Sequence, residues 1–503
     1  VKRSIALGLA GAAVLAGTVA PGAAAQAAPG LQFGACPQDI SQPHPQLQCA
    51  NLDVPLDYAA PNGEKLQLLI AKSPARKPEA RRGSLLINPG GPGGPGVAFA
   101  GTLGGRLPAE VLDAYDLIGF DTRNSAHSTP ISCVDPATYW RQPLPDPDSP
   151  QTREQNWQRA QEYADGCAQR AGKYLPHLNT PTNARDMDRI RDALGEQKIS
   201  YLGYSYGTYL GAVYGQLFPE RVDRMVLDSV VNPDTSEVWY RNNLNQDIAA
   251  QRRLGGYFDW IAQHDQVFHL GTDRGQVQAA WDGIRAELRK GARGALGPSE
   301  LTDITFGALY GESNWKGLAE AVADFRLRGD DRKLVAQVSA KDAAAENGNA
   351  IYNAVECADA PWPTRRSEWE RDSEELAADY PLAAWYNSWT VAPCRVWHAP
   401  RQQPLKITGA GLPPMLVINS EHDVATPYAG AVEMHRSLPS SVLVTEKDAG
   451  KHGVWAMAGN AEVDRIGTDY LLRGALPSGN VTVAGHANPD PAAPEKPRTL
   501  DLR

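Results

Sequence analysis

The chain has 503 residues, 42% hydrophobic and 21% charged, with 49 Lys and Arg against 58 Asp and Glu. A net charge of −9 with no basic stripe argues against nucleic acid as a partner, because phosphate binding needs clustered cations. The length exceeds one ordinary core, which predicts a large domain carrying an insertion, or two domains.

The chain opens on Lys2-Arg3, an apolar run over 5–20 and Ala25-Gln26-Ala27, the form of a secretory signal peptide ending at residue 27. That run is too short and too rich in Ala and Gly to span a membrane, and no later window is long enough. The expectation is therefore an exported, extracellular protein with no membrane partner, acting as a monomer. The six cysteines fall in no Cys-x-x-Cys or mixed Cys/His ligand spacing, so disulfides are expected, and neither a metal nor another cofactor. Chain order suggests Cys36 with Cys49, Cys133 with Cys167 and Cys357 with Cys394, one of many connectivities open to six cysteines.

Residues 31–57 are Pro-rich and read as irregular. Strands are predicted over 66–71 and 84–88, on either side of a charged turn over 76–82. The second strand runs into Asn88-Pro89-Gly90-Gly91-Pro92-Gly93-Gly94-Pro95-Gly96. A linker has such a composition too, but its place directly after a buried strand predicts main-chain N–H groups that must approach something closely. Neither a dinucleotide fingerprint nor a P-loop is matched. A further strand over 116–120 leads into Asp121-Thr122-Arg123-Asn124-Ser125-Ala126-His127-Ser128, read as a turn held by an Asp/Arg pair. An acidic, Pro-rich excursion over 142–150 then precedes helices over 153–170 and 183–194, the latter with Thr182 as N-cap and Gly195 as its stop.

The stretch from Ile199 to Gly211 organises the rest: a short apolar strand, then Gly203-Tyr204-Ser205-Tyr206-Gly207, then a helix opening on small residues. Gly-x-Ser-x-Gly in that context is a nucleophile elbow, where a Cβ at either Gly would collide with the adjacent strand or helix. The helix ends near 218, and a strand over 222–231 completes a βαβ unit. Asp228 on that strand is either an acid or a cap for the next turn. From 234 to 412 helical periodicity replaces strands, as over 249–262, 275–289 and 368–378, and the region holds nine of the twelve Trp. It reads as a cap domain over the carboxyl edge of the sheet, its Trp residues divided between a small helical core and a substrate groove. Strands resume over 414–420 and end with 441–445. A helix over 461–472 precedes a Pro/Ala-rich tail, 484–503, expected to be poorly ordered. The fold class is α/β, a mostly parallel sheet built from 28–233 and 413–483 around the helical insertion.

A neutral Ser hydroxyl needs a base, and the base needs an acid to fix its tautomer. Chain order for such an elbow is Ser, then Asp, then His. Asp423 and His452 sit in loops after two consecutive strands, with Glu421 and His422 as runners-up. The oxyanion would be held by main-chain N–H groups of Gly91 and Tyr206.

With Val230-Val231-Asn232-Pro233, Glu356-Cys357, Asp423-Val424-Ala425-Thr426-Pro427 and Gly450-Lys451-His452-Gly453, these motifs resemble the secreted tripeptidyl aminopeptidases of actinomycetes. These are α/β-hydrolases with a helical cap, related to proline iminopeptidases. The resemblance implies release of tripeptides from peptide or protein substrates with free N-termini. Such measurement needs an anion for the substrate ammonium, and Glu356 and Asp359 are the candidates; solvated helix acids are the plainer reading. Relatives usually read Asp-Pro-Arg-Gly-x-Gly-His-Ser at 121–128, so losing both Gly residues here puts that turn in question. A secreted esterase or lactonase, a proline-selective aminopeptidase and a catalytically silent binding protein are the alternatives on the same fold.

Overall fold

The computed structural model describes residues 30–339 and 341–493. The expected signal peptide, and residues 494–503 of the expected tail, lie outside them. One ten-stranded sheet is formed in the order β1-β2-β3-β5-β4-β6-β7-β8-β9-β10. Its strands are β1 (Gly34–Ala35), β2 (Gln48–Pro55), β3 (Lys65–Ser73), β4 (Gly83–Asn88), β5 (Tyr115–Phe120), β6 (Ile199–Ser205), β7 (Val222–Val230), β8 (Met415–Ser420), β9 (Ser441–Lys447) and β10 (Val481–Ala484). Pairing is antiparallel from β1 to β5 and parallel from β5 across to β10.

Parallel strands are covered on both faces, so they read as continuous apolar runs. Here β4 and β8 are buried along their whole length. The pleat splits each strand between two cores: Leu86 and Tyr201 pack with the helices Thr180–Ala193 and Tyr206–Leu217, whereas Leu85, Ile87 and Leu202 pack with Gly96–Leu103 and Ala461–Arg473. β4 has β5 on one side and β6 on the other, so the chain reverses its direction of travel there. Ligands of open α/β sheets bind at the carboxyl ends of the strands at such a switch point.

Between β7 and β8 the described residues form helices, among them Tyr240–Gln263, Arg274–Lys290, Pro298–Ala308, Trp315–Arg328, Ala343–Asp359, Arg366–Asp379 and Tyr386–Val391. Trp260, Trp281 and Trp315 fill a separate core of these helices, and Trp362, Trp369 and Trp397 join the core shared with the sheet. The disulfides are Cys36–Cys49, Cys133–Cys167 and Cys357–Cys394, as chain order suggests.

Several local expectations are corrected. Residues 31–57 are not irregular, since β2 pairs with β3 along its full length. β9 is not the last strand, because β10 adds to it in parallel. The helix expected from 183 starts at Thr180, capped by Asn179, whose side chain accepts from Thr182 N at 2.9 Å. Arg123 pairs not with Asp121 but with Asp186, through two hydrogen bonds of 2.7 and 2.6 Å in full burial. The tail as far as residue 493 packs on the helical segment: Pro489 O accepts from Trp260 Nε1, and Ala493 O from Lys316 Nζ.

Candidate active site

Ser205 ends β6 with φ 57° and ψ −128°, a conformation unfavourable for any residue with a Cβ. The surrounding glycines allow it. A Cβ on Gly203 would lie 2.4 Å from Gly207 O, and one on Gly207 2.8 Å from Asn88 O. The Gly-rich loop after β4 folds onto this turn. Gly90 and Gly91 both have positive φ, 100° and 104°, and a Cβ on Gly90 would lie 2.7 Å from Ser205 Cβ and 3.0 Å from Tyr206 N. Asn88 Oδ1 accepts from Gly90 N at 2.9 Å and fixes the loop from below. Tyr206 N begins its helix, where the first amides have no intrahelical acceptor.

The loops after β8 and β9 bring Asp423 and His452 together, each 1% exposed. His452 Nδ1 lies 2.8 Å from Asp423 Oδ2 and 3.0 Å from Oδ1. Three donors orient the carboxyl group: Ala425 N, Thr426 N and Thr426 Oγ1, at 2.9 to 3.0 Å. His452 Nε2 is buried without a hydrogen-bond partner among the described residues. The ring packs edge-on to Tyr310 at 5.2 Å, and Tyr310 O accepts from His452 N at 2.8 Å. Of the runners-up, Glu421 is half-buried and His422 is exposed.

Asp228, the other strand-end acid, touches not the imidazole but the backbone that follows it. Its carboxyl group accepts from Val454 N at 3.0 Å and Trp455 N at 2.7 Å, while Ser229 Oγ accepts from Gly453 N at 2.7 Å. Burial pushes the Asp228 carboxyl up to about 7, against the opposing pull of these donors. Ahead of His452, Glu312 Oε1 accepts from Gly450 N at 2.9 Å. Both clamps escaped sequence reasoning, because a carboxylate holding backbone N–H groups more than a hundred residues away leaves no spacing signal.

Glu356 and Asp359 end the helix Ala343–Asp359 and are buried at 2% and 3% exposure, not solvated. Their surroundings differ. Asp359 accepts from Thr180 N at 2.8 Å, Thr180 Oγ1 at 2.6 Å and Trp239 Nε1 at 3.3 Å, and Thr180 in turn meets the Tyr206 hydroxyl at 2.8 Å. Glu356 accepts from Asn243 Nδ2 at 3.1 Å and lines a cavity of about 260 Å³ with Asn232, Trp239, Gln246 and Thr426. Burial pushes the Glu356 carboxyl up to about 8 and that of Asp359 to about 6.

The turn at 121–128 keeps left-handed backbone at both positions where relatives carry Gly, with φ 62° at Asn124 and 43° at Ala126. Asn347 holds it from the helix above, accepting from Ala126 N at 2.8 Å and donating to Asn124 O at 2.9 Å.

Residues 83–455 match the family model described as the alpha/beta hydrolase fold. The tripeptidyl aminopeptidase of Streptomyces coelicolor is 45% identical over 484 residues, covering 93% of this chain and 89% of the relative. The chain belongs to the α/β-hydrolase family. Within it the chain falls with serine hydrolases of the peptidase kind. Serine protease Hip1 of Mycobacterium tuberculosis is 31% identical over 85% of this chain and 86% of the relative. A mycobacterial relative named carboxylesterase B is likewise 31% identical, over 86% of this chain and 85% of its own length. Among the described residues, no helix of this hydrolase is long and apolar enough to cross a membrane.

Proposed function

We propose that this hydrolase is an extracellular serine exopeptidase that releases tripeptides from free N-termini. Ser205 is the nucleophile, His452 the base and Asp423 the acid that accepts from Nδ1 and leaves Nε2 to face the reacting hydroxyl. Attack on the peptide carbonyl gives a tetrahedral oxyanion, held by Gly91 N–H and Tyr206 N–H. His452 then passes the Ser205 proton to the leaving amine, and water releases the acyl group by the reverse sequence. The helical segment between β7 and β8 acts as the cap. The observation that carries the exopeptidase reading is Glu356, a buried carboxyl in a cavity bounded by the loop of Asp423. A substrate ammonium beside it replaces its lost hydration with an ion pair. Asp359 already accepts three hydrogen bonds from the protein and is the weaker candidate. Three disulfides support an oxidising, extracellular site of action.

Ser205→Ala is expected to abolish fluorophosphonate labelling and to lower tripeptide anilide cleavage by on the order of 10⁴-fold or more. N-acetylation of the substrate is expected to slow cleavage sharply; equal rates for blocked and free substrates would overturn the exopeptidase assignment. Ester hydrolysis on the same residues is the second reading, favoured by the relative named carboxylesterase B. Rates on a p-nitrophenyl ester and a tripeptide p-nitroanilide, measured side by side, separate the two.

A further inference from the structure

A second cavity, of about 330 Å³, lies between the 142–150 excursion and the helices Pro298–Ala308, Ala343–Asp359 and Tyr386–Val391. Three polar atoms of its lining are buried with no partner among the described residues: Asn353 Oδ1, Trp389 Nε1 and Arg285 Nε. Asn353 is 3% exposed; its Nδ2 donates to Asn349 O at 3.1 Å, while its Oδ1 accepts from no described group. A buried polar group left unpaired is costly, and two donors and one acceptor around one space favour a ligand that supplies both kinds of group.

The acidic groups around the cavity are engaged within the protein, while Arg159 lies over the Tyr139 ring and Lys341 also lines the space. Asp146 pairs with Arg285 and Arg289, Arg153 with Glu374, and Glu300 accepts from Gly297 N and Leu144 N. The walls add Trp385, stacked on Trp389 with centroids 5.7 Å apart. A ligand with alternating donors and acceptors and apolar side groups satisfies this lining, which is the chemistry of a polypeptide backbone.

The cavity's position selects which part of the substrate it takes. A file of rings leads from His452 to it: Tyr310 at 5.2 Å, Phe306 a further 5.9 Å on, and Tyr386, which lines the cavity, 5.3 Å beyond. The base delivers its proton to the leaving amine, so the departing chain lies on the His452 side. The Glu356 cavity by the loop of Asp423 serves the N-terminal side. We propose that the Asn353–Trp389 cavity binds the peptide downstream of the scissile bond and makes the enzyme favour long substrates. This rests on the peptidase reading.

The test uses the whole protein and two substrates with the same N-terminal tripeptide, a p-nitroanilide and a free-amine heptapeptide. In Asn353→Leu and in Trp389→Phe, each of which removes one unpaired group, the heptapeptide KM is expected to rise about 10-fold, the effect of one neutral hydrogen bond. Cleavage of the p-nitroanilide should stay within about twofold, which also reports that each variant is folded. An unchanged heptapeptide KM, or an equal loss on both substrates, overturns the proposal while leaving the peptidase reading intact. Wild-type protein that cleaves neither substrate overturns both. A tetrapeptide with the heptapeptide's downstream sequence is a second measurement: it should inhibit heptapeptide cleavage in the wild type and lose about 10-fold in potency in both variants.

Discussion

Ala126 holds φ at 43° with a side chain that favours negative values, a strain of about 1 kcal/mol relieved only by Gly. Ala126→Gly should therefore stabilise the protein by up to about 1 kcal/mol less the added freedom of the unfolded chain, measured by urea unfolding. Asn124 bears the same backbone more easily, because its Nδ2 donates to Thr129 O at 2.8 Å. Glu356 gives a prediction with a definite sign. Burial raises its folded carboxyl to about 8, above the ordinary value of 4.5, so the folded state holds the proton more tightly than the unfolded state. Its contribution to stability is full below the unfolded value and is lost as pH rises through about 8. Asp228, at about 7, and Asp359, at about 6, act in the same direction. Glu356→Gln should narrow the stability difference between pH 6 and pH 9 in urea titrations. It should also raise KM for free-amine peptides and not for N-acetylated ones. A stability profile unchanged by the substitution would remove the buried carboxyl from the explanation.

The loop between β9 and the helix Ala461–Arg473 is the element that positions His452, the base of the proposed mechanism. It is held after His452 by Asp228 and Ser229, and before it by Glu312 from the helical segment. Asp228→Asn leaves one acceptor where two amides converge and points an NH₂ group at the other. It is expected to lower kcat about 10- to 100-fold with KM within about twofold, in protein whose circular dichroism matches wild type. A proportional loss of folded protein instead would make Asp228 a stability residue alone. The elbow was legible because its requirements are local, a sharp turn between a strand and a helix with Gly on either side of Ser205. The edge elements were not. β2 exposes Asn51 and alternates only weakly, and β10 is four residues long and exposed on one side, so each depends on hydrogen bonds to a neighbour that sequence periodicity does not reveal.

Across the whole molecule, segments remote in the chain lock the helical segment to the sheet. In the tail His486 bridges Glu312 of the helical segment and Glu446 of β9 at 2.9 Å each, while Cys357–Cys394 closes a separation of 37 residues within the helical segment, immediately after Glu356. Truncation after residue 485 removes the His486 bridge and the contacts of Pro489 and Ala493. It should destabilise the protein by about 1–3 kcal/mol in urea. Reduction of the disulfides should cost about 3 kcal/mol for each loop closed. The α/β class, the Gly-rich loop beside the elbow and the order of Ser205, Asp423 and His452 could all be read from sequence, because strand runs, glycine placement and chain order are one-dimensional properties; for the cysteines chain order gave only a suggestion, which the three disulfides match. The tertiary structure decided that Asp423 and not Asp228 meets the imidazole, that Arg123 pairs with Asp186, and that Glu356 is buried in a cavity while Asp359 is taken up by Thr180 and Trp239. Those outcomes depend on which groups share a small volume after folding, and burial and hydrogen-bond competition are settled only there.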